Sequence, residues 1–401
     1  MRRFVASAAM VAIILFSAQL AVAGPVVPKE IGANAKWFAH VNFEAIRATK
    51  LAQDFKAHCP MYRECHAKAE KLAKKLGMNP MKDVLDLTLY GDSYAPHVGV
   101  ALVSVKKLDR EKMINFLREK HPDYKTSEYG SRLLYSWTHE PFAHHGHFEH
   151  EACCEAHEHA AWHEHHEHEA WHEHCAWGEH HEGHEHHVWP WHHHGPKHLT
   201  AAFASDTLLV IGTGKARVEA ALDVLDGKKP SLAAGAALLK GIPADAIFSA
   251  RASDISVKDR EMIDCPLVSN CKAVSATWTD SRGQILGRYE FSTVSDKTAG
   301  EFKTVLDGLV AFGRLRFSHL PAVAKLLDGV KGEVKGPVFT ATIAISTSDV
   351  EAAFKAGIEH KMECQMEHKV GHKKASAEGP VPHHAERGKS ATAKKPATAK
   401  K

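Results

Sequence analysis

Cys265-Pro266-Leu267-Val268-Ser269-Asn270-Cys271 repeats the pattern of Cys59-Pro60-Met61-Tyr62-Arg63-Glu64-Cys65, and both read C-P-x4-C. Each follows a strand-like run at a similar distance, residues 37–41 in the first case and 247–250 in the second. Two further runs rich in β-branched and apolar residues follow each motif. They are residues 85–90 and 98–105, then 273–279 and 285–293. The links between them carry turn residues, Gly91-Asp92-Ser93 and Asp280-Ser281-Arg282-Gly283.

A helix is expected next in both halves. Asp109 can cap the first, with Leu108 and Met113 placed as a hydrophobic staple. Ser295 or Asp296 can cap the second, where Phe302, Val305, Leu306 and Leu309 have the spacing of one buried stripe. A closing helix is marked in the first half by Val218, Leu222 and Leu225 with Gly227 as its stop, and in the second by a Ser348/Glu351 capping-box pattern. The expected fold class is therefore α+β. It comprises two tandem related units, residues 24–240 and 241–372, each a mainly antiparallel sheet with helices on one face. Residues 66–76 add a helical stretch to the first. Coincidence between two unrelated domains is the alternative.

The cysteine motifs, Cys59/Cys65 and Cys265/Cys271, are disulfide candidates. A bridge across so short a loop would contribute about 2–3 kcal/mol in the chain-entropy picture. A redox pair is less consistent with the spacing, because catalytic dithiols use C-x-x-C beside a helix start. Pairing between the halves also satisfies the sequence.

The N-terminus suggests why disulfides are permissible. Met1-Arg2-Arg3 precedes an apolar run from Phe4 to about Leu20, then Ala21-Val22-Ala23. This pattern is that of a secretory signal peptide over residues 1–23, which implies a periplasmic or secreted protein. No later stretch is long and apolar enough to span a bilayer.

Between residues 139 and 198 the composition changes abruptly. This insert holds twenty-two of the thirty-three His and five of the eight Trp. Its twelve Glu against one Lys make it formally −11 with neutral His, which leaves +14 for the remainder of a chain of net +3. Ala161-Trp162-His163-Glu164-His165 recurs as Ala170-Trp171-His172-Glu173-His174, so the tract has the mark of repeat expansion. Strand-like runs flank it on both sides, and a large loop grown from a sheet connection is expected.

Neutral imidazole is a good donor to Zn, Ni and Cu. The candidate metal ligands are His157, His159, His163, His165, His166, His168, His172, His174, Cys175, His180, His181, His184, His186 and His187. In a helix His159/His163 and His168/His172 share a face; in an extended chain His163/His165 and His172/His174 share a side. Glu residues would raise local cation concentration and accept outer-shell hydrogen bonds. Many equivalent ligands without a fixed tetrad suit buffering or capture better than catalysis, which needs three placed ligands and an open position.

The expected function is sequestration or buffering of a divalent transition metal by an exported protein. The alternative is a non-enzymatic structural or interaction module whose insert is a spacer or a pH-responsive loop. Protonating every His would take the insert from −11 to +11. No catalytic motif is found; Gly212-Thr213-Gly214-Lys215 is only a fragment of a phosphate loop. Nothing indicates nucleic acid as a partner.

Residues 373–401 lose apolar periodicity and end in lysines, a composition that predicts a disordered basic tail. His360, Cys364, His368 and His372 precede it at helical spacing and form a secondary metal candidate.

Outside the insert the chain resembles exported bacterial proteins of no assigned activity. The resemblance rests on AKWFAHVNFEAIRATK (35–50), DYKTSEYG (123–130) and VEAALDVLDGKKPSL (218–232). It implies export and no particular chemistry. The insert is similar, in composition alone, to the His-rich loops of periplasmic zinc receptors and nickel metallochaperones.

Overall fold

The computed structural model describes residues 24–58, 60–95, 98–139, 197–263, 265–281 and 283–356. The leader, the insert from residue 140 to 196 and the tail from residue 357 lie outside them.

Among the described residues, twelve strands form one antiparallel sheet. In chain order they are β1 (Trp37–Asn42), β2 (Val84–Gly91), β3 (Val100–Val105), β4 (Lys125–Tyr129), β5 (Arg132–His139) and β6 (Lys197–Phe203). There follow β7 (Leu208–Thr213), β8 (Ala246–Ala252), β9 (Cys271–Ser281), β10 (Gln284–Thr293), β11 (Val330–Lys335) and β12 (Val338–Ser346). Their spatial order is β11-β12-β10-β9-β8-β1-β2-β3-β7-β6-β5-β4. The α+β class with a mainly antiparallel sheet is thus the observed one.

The expected pair of sheets is joined into one. β1 pairs antiparallel with β8, Ala39 opposite Ala250 and Trp37 opposite Ala252. On either side of this join the chain takes a similar path. Three strands meander, a helix follows, and the last strand returns beside the third: β7 beside β3, β12 beside β10. The first half has two strands more.

Cross-strand partners share a face of a sheet, so the register sorts the packing. On one face Phe38, Tyr90, Val100, Leu102, Leu134 and Val210 pack against Val218 and Leu222 of helix α6 (Lys215–Leu225). Most of these side chains are fully buried, and each is worth about 1.5–3 kcal/mol relative to exposure. The opposite face carries two separate clusters. Over β3, β7 and β6, Val103, Leu209 and Ala201 meet Leu76 of α3 (Pro60–Leu76) and Met113 of α5 (Arg110–Lys120). Over β9, β10 and β12, Val274, Phe291 and Phe339 meet Phe302 and Leu306 of α9 (Asp296–Arg316). Helices therefore cover both faces of the first half, not one. The centre of the second face, between the two clusters, carries no helix from either cluster.

Several local expectations hold in detail. The Asp109 carboxylate accepts from the Lys112 N–H, and the Ser295 hydroxyl accepts from the Thr298 N–H. Leu108 and Met113 belong to one cluster, as a staple requires. Gly227 takes a left-handed φ of 71° after α6. Three expectations are corrected. The last helix, residues 347–356, is capped by Ser346, whose hydroxyl accepts from the Asp349 N–H; Ser348 already lies inside the first turn. Val305 and Leu309 of α9 are 54% and 63% exposed, because the sheet accepts only the arc of Ala299, Phe302 and Leu306. The two C-P-x4-C motifs also differ in form. Residues 60–65 are the opening turns of α3, whereas Pro266–Ser269 form the short α8 and Cys271 begins β9.

Candidate functional sites on the sheet

The insert grows from one hairpin end. β5 and β6 pair with His139 opposite Lys197, Thr138 opposite His198 and Trp137 opposite Leu199. Cross-strand hydrogen bonding between Ser136 Oγ and Thr200 Oγ1, at 2.9 Å, ties the stem. The Thr138 N–H donates to Asp123 Oδ2 at 2.6 Å, and hydrogen bonding from the Thr138 side chain and backbone holds that carboxyl below its ordinary range. The Trp137 ring packs 5.6 Å from His121. Residues 140–196 thus leave and return at adjacent strand ends, and loop-closure entropy rises only slowly with the length inserted there.

All fourteen insert ligand candidates, His157 to His187 with Cys175, lie outside the described residues, as do His360, Cys364, His368 and His372. Among the described residues no group of three or more His, Cys, Asp or Glu is placed to hold a metal ion. The stem adds exposed His198, whose Nδ1 lies 3.4 Å from Thr138 Oγ1.

Of the disulfide candidates, Cys59 lies outside the described residues, and Cys65, Cys265 and Cys271 are free thiols. Cys265 and Cys271 are not joined to each other, which is one of the pairings the sequence leaves open. Cys271 is fully buried against Ala299, Phe302 and Phe339, and its thiol donates to the Leu267 carbonyl at 3.2 Å. Burial pushes this thiol up to about 11. Such a sulfur is a poor nucleophile, so the redox reading finds no support here.

The centre of the second face, with Ile263 and with Val268 of the short α8 at its margin, is an apolar trough of about 660 Å³. Its floor is built of small side chains in register. Ala101, Ala39, Ala250 and Ala276 follow one another across β3, β2, β1, β8 and β9, with Leu89 between the first two. Trp37 forms part of the wall and lies flat across β2 and β3. A Cβ at Gly91 would come 2.7 Å from Trp37 Nε1, and one at Gly99 would come 3.1 Å from the indole. These two glycines are therefore what lets the ring approach the sheet. The indole N–H donates to the Ser93 carbonyl at 2.8 Å. Tyr94 closes the same side, its hydroxyl bound to the Lys36 and Ser253 carbonyls and its ionisation pushed up by burial. Ile211 and Leu199 line one end, Tyr289 and Phe291 the other. At the Leu199 end Thr213 Oγ1 is buried without a hydrogen-bond partner among the described residues.

The sequence reading missed this feature. Its signal is one alanine in each of four strands, Ala39, Ala101, Ala250 and Ala276, which has meaning only once the register is known.

A second buried polar group lies on the opposite face. His40 is 2% exposed, with Nδ1 2.9 Å from Thr88 Oγ1. Its strand partner Ser249 is fully buried, and Ser249 Oγ has no hydrogen-bond partner among the described residues. Burial lowers the His40 pKa, opposed by the nearby Asp86 carboxylate, which burial raises in turn.

These features define an α+β protein with one wide antiparallel sheet, a paired stem for a large insert and an apolar trough. No protein-family model matches the chain, and no curated protein matches it in sequence. Among solved structures the chain is similar to two crystal forms of TP0453. Form III gives a TM-score of 0.38 at 8% identity over 83% of this chain and 98% of that one. Form I gives 0.35 at 8% identity over 82% and 96%.

Proposed function

We propose that this is an exported metal-handling protein which captures or buffers Zn, Ni or Cu through the His/Glu/Cys insert. The observation that supports it is chemical. Twenty-two imidazoles, twelve carboxylates and three thiols are concentrated between residues 139 and 198. The stem suits this use, because a loop that returns on the strand beside the one it left can reorganise around metal without altering the sheet that carries it. Metal binding and ordering of such a loop are coupled, since ligands must be deprotonated and gathered together. Many interchangeable donors favour capacity over selectivity.

The test is a titration with Zn, Ni and Cu of the chain from Gly24 onward, with and without residues 144–196. It is run near neutral pH and again at about pH 5.5, below the ordinary histidine pKa. Several ions bound per chain, released on acidification and lost with the insert, are expected. Equal uptake by the two chains would refute the reading.

A further inference from the structure

We propose that the exposed apolar stripe of α9 is a homodimer surface, on which α9 of a second copy of this chain packs antiparallel. This surface is separate from the insert and does not depend on metal.

The stripe is the side of α9 that the sheet leaves unused. Val305, Leu309, Phe312 and Leu315 are all exposed. They follow one another at steps of four, three and three residues, which keeps them on one side of the helix. Side chains of this size and exposure present on the order of 500 Å² per chain. Single exposed apolar residues are ordinary, whereas a contiguous patch of roughly this size is often an interaction site. Two copies face to face would hide about 1,000 Å² from these residues alone. With the flanking charged side chains the pair reaches the lower end of the range of about 1,200–2,000 Å² that stable interfaces bury.

Charge and shape point to the same helix as the occupant. A two-fold axis between Gly308 and Leu309 sets Val305 opposite the partner's Phe312, Leu309 opposite the partner's Gly308, and Glu301 opposite the partner's Arg316. The axis repeats each of these contacts, so one charge pair becomes two. Glu301 and Arg316 are both exposed, and the nearby Arg314 points to the other side of the helix, where Asp328 takes it at 2.8 Å. Parallel packing would instead bring Glu301 to Glu301 and Arg316 to Arg316, and would align the two helix dipoles. Gly308 lies beside the stripe and is exposed, and a Cβ there would meet nothing beyond its own helix within 4 Å. A glycine inside a helix costs about 1 kcal/mol against alanine. No contact among the described residues requires it, but in the pair it leaves the hollow that the partner's Leu309 fills. A lipid surface fits less well. Helices that lie on membranes carry mainly Lys and Arg beside the apolar face, whereas α9 carries four basic and three acidic residues.

The experiment is sedimentation velocity of the chain from Gly24 onward, across a wide range of protein concentration, with a chelator present so that metal cannot bridge chains. A monomer–dimer equilibrium is expected. Glu301→Arg and Arg316→Glu each set like charges opposite one another and should weaken association at least tenfold. Mixed in equal amounts, the two variants meet with opposite charges at both contacts, and dimers containing one of each should form. Leu309→Lys should abolish association while circular dichroism of the dilute single chain stays unchanged. If one variant misfolds, recovery in the charge-variant mixture or loss in the remaining variant decides. A monomer at every concentration, dimers indifferent to the charge variants, or no recovery in their mixture would each overturn the proposal. So would a dimer lost with residues 144–196, which would place the interface in the insert. A dimer seen only after residues 357–401 are removed would make the tail the occupant. Binding of the monomer to phosphatidylglycerol vesicles that Leu309→Lys abolishes would make it a lipid surface, and either result would likewise overturn the pairing.

Discussion

Acid lowers stability through both His40 and Asp226, in different pH windows and for different reasons visible in their surroundings. The Asp226 carboxylate takes both Arg132 guanidinium nitrogens, at 2.8 and 2.7 Å, and lies 3.0 Å from Lys228 Nζ. These partners hold it down to about 2. A depressed carboxylate contributes stability above its unfolded pKa and loses it as pH falls through the folded value. The contribution should therefore persist until strongly acidic pH, and Asp226→Asn should lower the melting temperature most near neutrality. His40 is also depressed, by burial. The unfolded chain then binds a proton that the folded chain refuses, so stability falls as pH drops below the ordinary histidine range. His40→Gln should remove that part of the slope in denaturant titrations taken across pH. An unchanged slope would show that His40 is not the group responsible. The insert histidines were legible in the sequence as chemistry, whereas the isolation of His40 was not. Nothing in Ala39-His40-Val41 says that Ser249 will lie beside it.

At the scale of elements, α9 shows why periodicity alone overstates burial. Its sequence carries two apolar arcs, and only Ala299, Phe302 and Leu306 meet the sheet. Phe312 and Leu315 are 66% and 77% exposed, with Val305 and Leu309 beside them. Phe302→Ala should cost about 3–5 kcal/mol, the usual range for a large core aromatic. Leu309→Ala should cost well under 1 kcal/mol, as exposed substitutions do. Denaturant midpoints of the two variants measure the contrast, and equal losses would contradict the packing described. The strands were easier to read than the helix. The runs at 37–41, 85–90 and 285–293 each fall within an observed strand, because β-branched residues between turn signals leave few alternatives. Which strands are neighbours was not readable, since pairing joins residues as distant as Ala39 and Ala250.

For the whole molecule, the β1–β8 pairing makes one sheet of what the sequence presents as two halves. A continuous ladder should couple them in unfolding. Ala250→Pro would remove a ladder donor at the join. It should lower protection against hydrogen exchange in both β4–β7 and β10–β12, while loss of protection in one half alone would show that the halves open independently. The paired stem leads to a different expectation for the insert. Removing residues 144–196 should leave the melting temperature of the sheet within a few degrees, because their two ends already meet at the hairpin end.

By itself the sequence determined the α+β class, the order of most elements, their caps at Asp109 and Ser295, and the density of His, Glu and Cys in the insert. These are properties of local pattern, fixed by side-chain period and composition within a few turns of chain. Tertiary structure alone decided the single sheet, the helix on the opposite face, the burial of Cys271 and the trough. Each depends on which distant residues share a register. The alanines show this most clearly: singly they are ordinary strand residues, and only when Ala101, Ala39, Ala250 and Ala276 fall in line does the space they leave become a groove.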